Sequence, residues 1–247
     1  MKFGIDIGHN CPPYDTGAVG IQREDNLTRA VGMGVMEKLT RAGHSVIDCT
    51  PKSASNLNSS LRQRTSKANQ AQVDVFVSIH FNAFNRKASG SEVYAISNSG
   101  RAIAAPVQAE LVKLGYRNRG VKNRKFFVLK NTAMPAILIE CCFCDSPEDM
   151  AKFDADKMAT AITTGLIGET NQSSEEYTLE ITQPTLLKPS TEQSASLAPE
   201  SCIEISEGKY PILDFSFEEN HYWVKWQDQS MGDRQEHFIF AGHSKVA

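Results

Sequence analysis

Short apolar runs and longer segments with helical periodicity alternate along the first two thirds of the chain. The short runs have the length and the Val and Ile content of buried strands, whereas the longer segments repeat apolar residues every three or four positions. The predicted strands are KFGIDIG, HSVIDCT, VDVFVSI, SEVYAIS, FFVLK and PAILIE. The predicted helices are NLTRAVGMGVMEKLTRAG, NLNSSLRQRTSKANQAQ, GRAIAAPVQAELVKLG and SPEDMAKFDADKMATAITTGLI. This order predicts an α/β fold with a twisted, mixed and mostly parallel sheet flanked by helices.

The composition changes after Ile167. Residues 168–201 are rich in Ser, Thr, Glu and Pro, which is typical of a linker. Residues 202–247 alternate apolar and polar positions between turn signals, as β-strands do. We therefore predict a catalytic domain at 1–167, a linker at 168–201 and a small β-rich C-terminal module at 202–247. Because so short a module folds independently only with difficulty, a start near Tyr177 is the alternative.

The charge is distributed unevenly between these parts. Residues 1–167 carry 21 Lys and Arg against 15 Asp and Glu, and the remainder carries 5 against 14. The basic excess is concentrated in RNRGVKNRK, residues 117–125. Such a run is usually a solvated loop, although a basic rim beside a cleft also favours an anionic substrate. Nucleic acid is not expected as a partner, because no aromatic-interleaved basic motif or zinc-finger spacing occurs.

The sequence also bears on the cellular compartment. It contains no apolar run of about 18 residues that would span a bilayer, and its start, MKFGIDIGHN, lacks the pattern of a secretory signal peptide. We therefore expect cytoplasmic synthesis without a signal peptide. The six cysteines are unevenly spaced, with three of them in CCFC, so we interpret them as mostly reduced thiols.

Polar side chains occur where three of the predicted strands end. His9 follows GIDIG, His80 ends DVFVSIH and Glu140 follows MPAILI. In open α/β sheets the carboxyl ends of the strands face a common crevice, so these side chains are expected to converge. Two neutral imidazoles and one carboxylate suit zinc and leave a fourth position for water.

The identity of the carboxylate ligand must be decided among several residues. The candidates are Asp15, Glu24, Asp25 and Glu140. Glu24 lies where the loop after the first strand meets the first helix, and a rigid helix start can hold it against His9. We therefore predict a zinc site formed by His9, Glu24 and His80, and we assign Glu140 to proton transfer.

These residues lie within four motifs that occur in order between residue 1 and about residue 167. The motifs are IDIGHN…DTGAVGIQRE, LRQRTSKANQAQVDVFVSIHFNA, GVKNRKFFVLKNTAMPAILIE and SPEDMAKF. Together they resemble the zinc-dependent N-acetylmuramoyl-L-alanine amidases of the type 3 class, which includes bacterial cell-separation amidases and some phage endolysins. The resemblance implies the same zinc ligands and a catalytic Glu140. One departure is CCFCDS after Glu140, where the family usually has a Gly-Phe pair and then an asparagine.

The resemblance also implies a substrate. It is peptidoglycan, at the amide between N-acetylmuramic acid and the L-alanine of the stem peptide. Asn82, Arg64 and Lys122 are candidates for supporting the site or binding substrate. Two alternatives stay open, namely a zinc module that binds muropeptides without cleaving them and a zinc hydrolase of another amide. We expect the chain to act on the wall after lysis or non-classical release, and the C-terminal module to bind the wall, a partner protein or a second copy of itself.

Overall fold

The computed structural model describes residues 1–168, 177–226, 231–232 and 234–246, and the chain divides into two compact units, Met1–Thr170 and Asn171–Ala247. The strands of the first unit are β1 (Lys2–Ile7), β2 (Ser45–Asp48), β3 (Val75–Asn82), β4 (Ser91–Tyr94), β5 (Asn118–Lys122) and β6 (Ala136–Phe143). Its helices are α1 (Glu24–Arg41), α2 (Leu57–Ala71), α3 (Asn98–Lys113), α4 (Phe127–Asn131), α5 (Pro147–Met150) and α6 (Ala155–Ile167).

One six-stranded sheet forms the centre of the first unit, in the order β2-β1-β3-β6-β4-β5. The strands β1, β2, β3 and β6 are parallel, whereas β4 pairs antiparallel with β6 and parallel with β5. One core packs apolar residues of α1, α3 and α6 on the sheet, and a second core contains residues of α2 and α4. The predicted mixed, mostly parallel α/β fold is therefore confirmed.

The first helix shows how the sequence positions the site. Leu27, Val31, Val35 and Leu39 recur every four residues along α1 and are at most 2% exposed. A stripe with this spacing lies on one face of a helix, so it packs α1 against the sheet. The start of the helix, and with it Glu24, is thereby fixed beside the ends of β1 and β3.

Two predicted elements of the first unit are wrong. The run FFVLK, predicted as a strand, lies mostly in the short helix α4, whose Val128 and Leu129 are buried in the second core. An apolar run of this length cannot be told from a buried helical turn by periodicity. The basic run at 117–125, expected to be a loop, contains the edge strand β5, because pairing with β4 imposes an extended backbone there.

The last predicted helix of the first unit also needs correction, because it is two helices. Ser146 caps α5 by accepting a hydrogen bond from the backbone N–H of Asp149, and Pro147 begins that helix. The second helix, α6, begins after Asp154, whose side chain accepts from the backbone N–H of Lys157. An aspartate cap inside the segment therefore starts a new helix.

The second unit is built from seven strands among the described residues. They are β7 (Tyr177–Ile181), β8 (Thr185–Leu187), β9 (Ile203–Ile205), β10 (Gly208–Glu218), β11 (His221–Trp226), β12 (Glu236–Phe240) and β13 (Ser244–Val246). A five-stranded sheet has the order β12-β11-β10-β7-β13, and β8 pairs with β9. Trp226 is buried in the core of this unit, whereas Phe217 and Phe240 are 60% and 41% exposed.

The linker predicted at 168–201 needs correction. The strands β7 and β8 lie inside it, and Leu179, Ile181 and Leu187 are buried in the core of the second unit. The polar composition of this stretch predicted a linker, but its few apolar residues pack in the core of the second unit. Residues 169–176 of the predicted linker lie outside the described residues.

In the described part of the chain, no helix combines the length and the apolar character that crossing a bilayer requires.

Candidate active site

The three predicted metal ligands meet at one edge of the sheet. His9 lies just after β1, Glu24 is the first residue of α1, and His80 lies in β3. Each offers one ligand atom, and these atoms all lie within 4.8 Å of one another. The structure thus brings together residues that are up to 71 positions apart in the sequence.

The backbone at His9 has an unusual conformation. His9 and Asn10 both have φ of 58°, in the left-handed region that non-glycine residues rarely adopt. The Asn10 side chain stabilises this turn by donating hydrogen bonds to the carbonyl oxygen of Gly8 (2.9 Å) and to Oγ1 of Thr28 (2.8 Å). Such strain persists where the surroundings determine the conformation, and here it directs the imidazole towards Glu24.

Glu24 connects the two histidines. Its Oε1 lies 3.2 Å from Nε2 of His9 and 3.2 Å from Nδ1 of His80. Backbone N–H groups of Phe81 (3.0 Å) and Ala18 (2.8 Å) donate to its two oxygens. Burial alone would raise the pKa of Glu24, but the hydrogen bonds to His80 and His9 outweigh it and lower the pKa. Glu24 is therefore a carboxylate at neutral pH.

A buried chain of polar groups orients His9. Its Nδ1 lies 2.9 Å from Oδ1 of Asp15, and Oδ2 of Asp15 accepts from Ser60 (2.6 Å) and Arg64 (3.0 Å). Arg64, which is 1% exposed, also donates to Asp6 and to the carbonyl oxygens of Ile7 and His9. Because Nδ1 is bonded to a carboxylate, it carries the proton in the neutral ring, and Nε2, which faces Glu24, then offers its lone pair to a cation. Arg64, predicted as a supporting or substrate residue, is thus a buried support.

The electrostatics of His9 provide a test of whether a metal fits. Burial lowers the pKa of His9, but the hydrogen bonds to Asp15 and Glu24 outweigh this effect and raise the pKa to about 10. The pKa of Asp15 is about 2, because its hydrogen bonds to His9 and Ser60 and the charge of Arg64 outweigh its burial. A site that stabilises positive charge this strongly, and that offers two imidazoles and a carboxylate, fits a divalent cation such as zinc.

Gly8 makes room for the second imidazole. A Cβ atom at this position would lie 2.5 Å from Cε1 of His80 and 2.5 Å from the carbonyl oxygen of Ile79. Real Cβ atoms do not approach other atoms so closely, and a rigid strand cannot move away. Gly8, the second glycine of GIDIG, therefore lets His80 lie across the end of β1.

Glu140 lies in β6, beside His80 of the candidate metal-ligand group. It is opposite His80 in β3 and opposite Glu92 in β4, so all three side chains are at the same level of the sheet. Its Oε2 is buried and has no hydrogen-bond partner among the described residues. Burial, followed by the charges of Glu24 and Glu92, raises the pKa of Glu140 to about 8. A carboxyl group with this pKa can accept and return a proton near neutral pH.

Glu92, which no motif or spacing in the sequence indicated, lies on the other side of Glu140. Its Oε1 accepts from Nδ2 of Asn82 (3.0 Å) and from the hydroxyl of Tyr94 (2.6 Å). Its Oε2 accepts from Nε of Arg119 (2.7 Å) and from Nζ of Lys122. Burial would raise its pKa, but these hydrogen bonds, that of Lys122 first, lower it to about 2. Asn82 and Lys122, predicted to support the site or bind substrate, thus both contact a buried carboxylate.

The part of the chain that carries these residues is similar to known proteins. Residues 4–168 match the model of a family described as N-acetylmuramoyl-L-alanine amidase. An uncharacterized protein of Clostridium perfringens is 36% identical in an alignment of 157 residues that covers 61% of this chain and 46% of that protein. The N-acetylmuramoyl-L-alanine amidase LytC of Bacillus subtilis is 36% identical in an alignment of 177 residues that covers 66% of this chain and 34% of LytC. The chain thus spans less than half the length of these two relatives.

A solved structure supports the same relationship at the level of the fold. The catalytic domain of the CD27L endolysin, which targets Clostridia difficile, has a TM-score of 0.63 and 28% sequence identity. The similarity covers 68% of this chain and 97% of that domain. It is therefore confined to a part of the chain about as long as the first unit.

Proposed function

The chain belongs to the N-acetylmuramoyl-L-alanine amidase family, and we propose that it hydrolyses the amide between N-acetylmuramic acid and the L-alanine of the peptidoglycan stem peptide. The observation that carries the proposal is the convergence of His9, Glu24 and His80 beside Glu140. A metal-ligand group next to a carboxyl group of raised pKa is what amide hydrolysis requires.

His9, Glu24 and His80 would hold zinc. Zinc bound there supplies a Lewis acid that polarises the amide carbonyl and lowers the pKa of water to about 7. Asp15 and Arg64 keep His9 in the orientation and tautomer that binding requires.

Glu140 would move the proton. It accepts the proton from water as the water attacks the carbonyl carbon, and it returns the proton to the nitrogen of the departing L-alanine. Its unpartnered Oε2 leaves a position for the group that gives or takes this proton.

Purified wall material and a soluble N-acetylmuramoyl-tripeptide provide the test. We expect the purified chain, supplied with zinc, to release N-acetylmuramic acid and a peptide with a free N-terminal L-alanine, both identified by mass spectrometry. Glu140→Gln should retain zinc and lose hydrolysis by about 10²-fold or more, the scale for removing a general acid–base. The matched control is Glu37→Gln on the surface of α1, which should keep normal turnover.

Two other results would replace the proposal. Binding of muropeptides without cleavage would indicate a zinc-containing binding module. Release of a product other than an L-alanine-terminated peptide would indicate a hydrolase of another amide. Near-normal turnover of the zinc-loaded Glu140→Gln protein would reject the role of Glu140.

Two further points stay predictions from the sequence. The chain is expected to reach the wall after lysis or by non-classical release. The second unit is expected to bind the wall, a partner protein or a second copy of the chain.

A further inference from the structure

Two cations lie beyond Glu92, on the side away from Glu140. Arg119 uses Nε to bind Glu92, and its guanidinium lies over the ring of Phe143, 4.9 Å from the ring centroid. In the part of the chain that the structure describes, the two terminal nitrogens of Arg119 make no hydrogen bond. Lys122 is partly exposed and bonds to the same carboxylate oxygen. We call these residues the Arg119–Lys122 pair.

The charges in this cluster do not cancel. Glu92 contributes one negative charge, and its oxygens already accept four hydrogen bonds, from Asn82, Tyr94 and the Arg119–Lys122 pair. The pair contributes two positive charges, so one positive charge is left over. A guanidinium with free terminal nitrogens, next to an ammonium, matches the geometry and the charge of a carboxylate.

The position of the pair relates this surplus charge to the scissile amide. Across the sheet the order is His80, Glu140, Glu92 and then β5, which carries the pair. Neighbouring strands are about 4.8 Å apart, and an extended peptide advances about 3.4 Å per residue. The strand β5 lies two such spacings from β6, but Nε of Arg119 and Nζ of Lys122 reach back to Glu92, which is one spacing from Glu140. A group two residues from the cleaved bond, about 6.8 Å along an extended peptide, therefore reaches the charged ends of the pair while that bond lies beside Glu140.

The chemistry of the substrate decides which side of the bond this group belongs to. The carboxyl group of the muramic acid lactyl moiety is consumed in the amide itself, so the sugar offers no free carboxylate. The acidic residue that follows L-alanine in the stem peptide offers an α-carboxylate, which some walls carry as a carboxamide. The carboxamide has the same shape but no charge.

We propose that the Arg119–Lys122 pair is a subsite for the free α-carboxylate of the second stem-peptide residue, with Glu92 as the residue that positions the pair. The chain then prefers stem peptides with a free carboxylate to amidated ones. The proposal rests on the proposed amidase function, because that function places the peptide in the cleft.

Equilibrium binding tests the subsite without requiring turnover. The ligands are the tripeptide L-Ala-γ-D-Glu-L-Lys and its α-carboxamide analogue, titrated into the zinc-loaded full chain by calorimetry. We expect the wild type to bind the free acid at least about tenfold more tightly, as charge-assisted hydrogen bonds imply. The preference should fall below about twofold in Arg119→Gln and in Lys122→Gln.

Lys125→Gln is the matched control. It removes the same charge from an exposed lysine of the same basic run, which has no contact with Glu92. It should keep the full preference, which separates the subsite from general attraction by a basic rim. Equal affinity for acid and amide in the wild type, no measurable binding of either, or a preference that survives in the Arg119→Gln/Lys122→Gln protein would overturn the subsite.

Kinetics with the two N-acetylmuramoyl-tripeptides separate this proposal from the amidase function. Hydrolysis of both with a higher KM for the amidated substrate supports both proposals. Hydrolysis of both with equal KM rejects the subsite and keeps the amidase. A binding preference without hydrolysis of either substrate keeps the subsite and rejects the amidase.

Discussion

Replacing Asp15 with asparagine removes the charge that orients His9 and keeps the size of the side chain. The Asp15 side chain is 5% exposed, and Oδ1 lies 2.9 Å from Nδ1 of His9. Arg64 keeps its ion pair with Asp6 in this variant, so the buried guanidinium is not left without a carboxylate. We therefore expect Asp15→Asn to fold and to bind zinc more weakly.

The magnitude follows from the type of hydrogen bond that is lost. A bond to a charged partner contributes about 1.5–3 kcal/mol, against about 0.5–1.5 kcal/mol for a neutral pair. The difference of about 1–1.5 kcal/mol corresponds to a loss of roughly 5- to 13-fold in zinc affinity. This is at the lower end of the roughly 10- to 100-fold that outer-shell changes cost metal sites.

Competition with a chromophoric chelator measures the zinc dissociation constant of each variant. The control is Asp156→Asn, a change of the same kind at a 75% exposed position in α6, which should leave zinc affinity unchanged. Thermal unfolding of both proteins checks that they are folded. A folded Asp15→Asn protein whose zinc dissociation constant is within about twofold of the wild type would refute the argued role of Asp15.

Gly8→Ala should bind zinc much more weakly, as measured by chelator competition, because the new Cβ would lie 2.5 Å from Cε1 of His80. Unchanged zinc affinity in a folded variant would contradict this. Zinc binding displaces a proton that His9 holds with a pKa of about 10, so zinc affinity should rise by up to about tenfold per pH unit above neutrality. A zinc affinity that calorimetry finds independent of pH would exclude this linkage. A protein truncated after Gly168 should still hydrolyse a soluble muropeptide but should hydrolyse intact wall more slowly. Full activity on both substrates, with an unchanged oligomeric state, would reject a targeting or assembly role for the second unit.

The positions of the proposed zinc ligands and of Glu140 could be inferred from the sequence because local sequence signals determine them. His80 and Glu140 each follow a buried, mostly apolar run, VFVSI in β3 and AILI in β6, which fixes the strand and with it the position of the polar side chain. The strand β6 continues after Glu140 to Phe143. Glu24 begins a helix whose apolar stripe is regular. In each case a short segment determines both the element and the direction of the side chain.

Glu92 could not be found in this way, because its environment is built by distant segments. In SEVY the glutamate follows a serine at the start of a short strand, where a charged residue is expected to face solvent. It is buried because β4 lies between β6 and β5, and β5 contains only one apolar residue, Val121. The partners that neutralise it come from residues 82, 94, 119 and 122, so neither periodicity nor spacing indicates the cluster.

The contrast between Glu92 and Glu140 explains why neighbouring carboxyl groups can serve different purposes. They are opposite each other on paired strands, yet the pKa of Glu92 is about 2 and that of Glu140 is about 8. Glu92 accepts four hydrogen bonds, two of them from cations, whereas the buried Oε2 of Glu140 has no partner in the described structure. The permanent charge of Glu92 itself helps to raise the pKa of Glu140. Strand pairing therefore makes one of two identical groups an anchor for cations and gives the other the raised pKa that the proposed proton transfer requires.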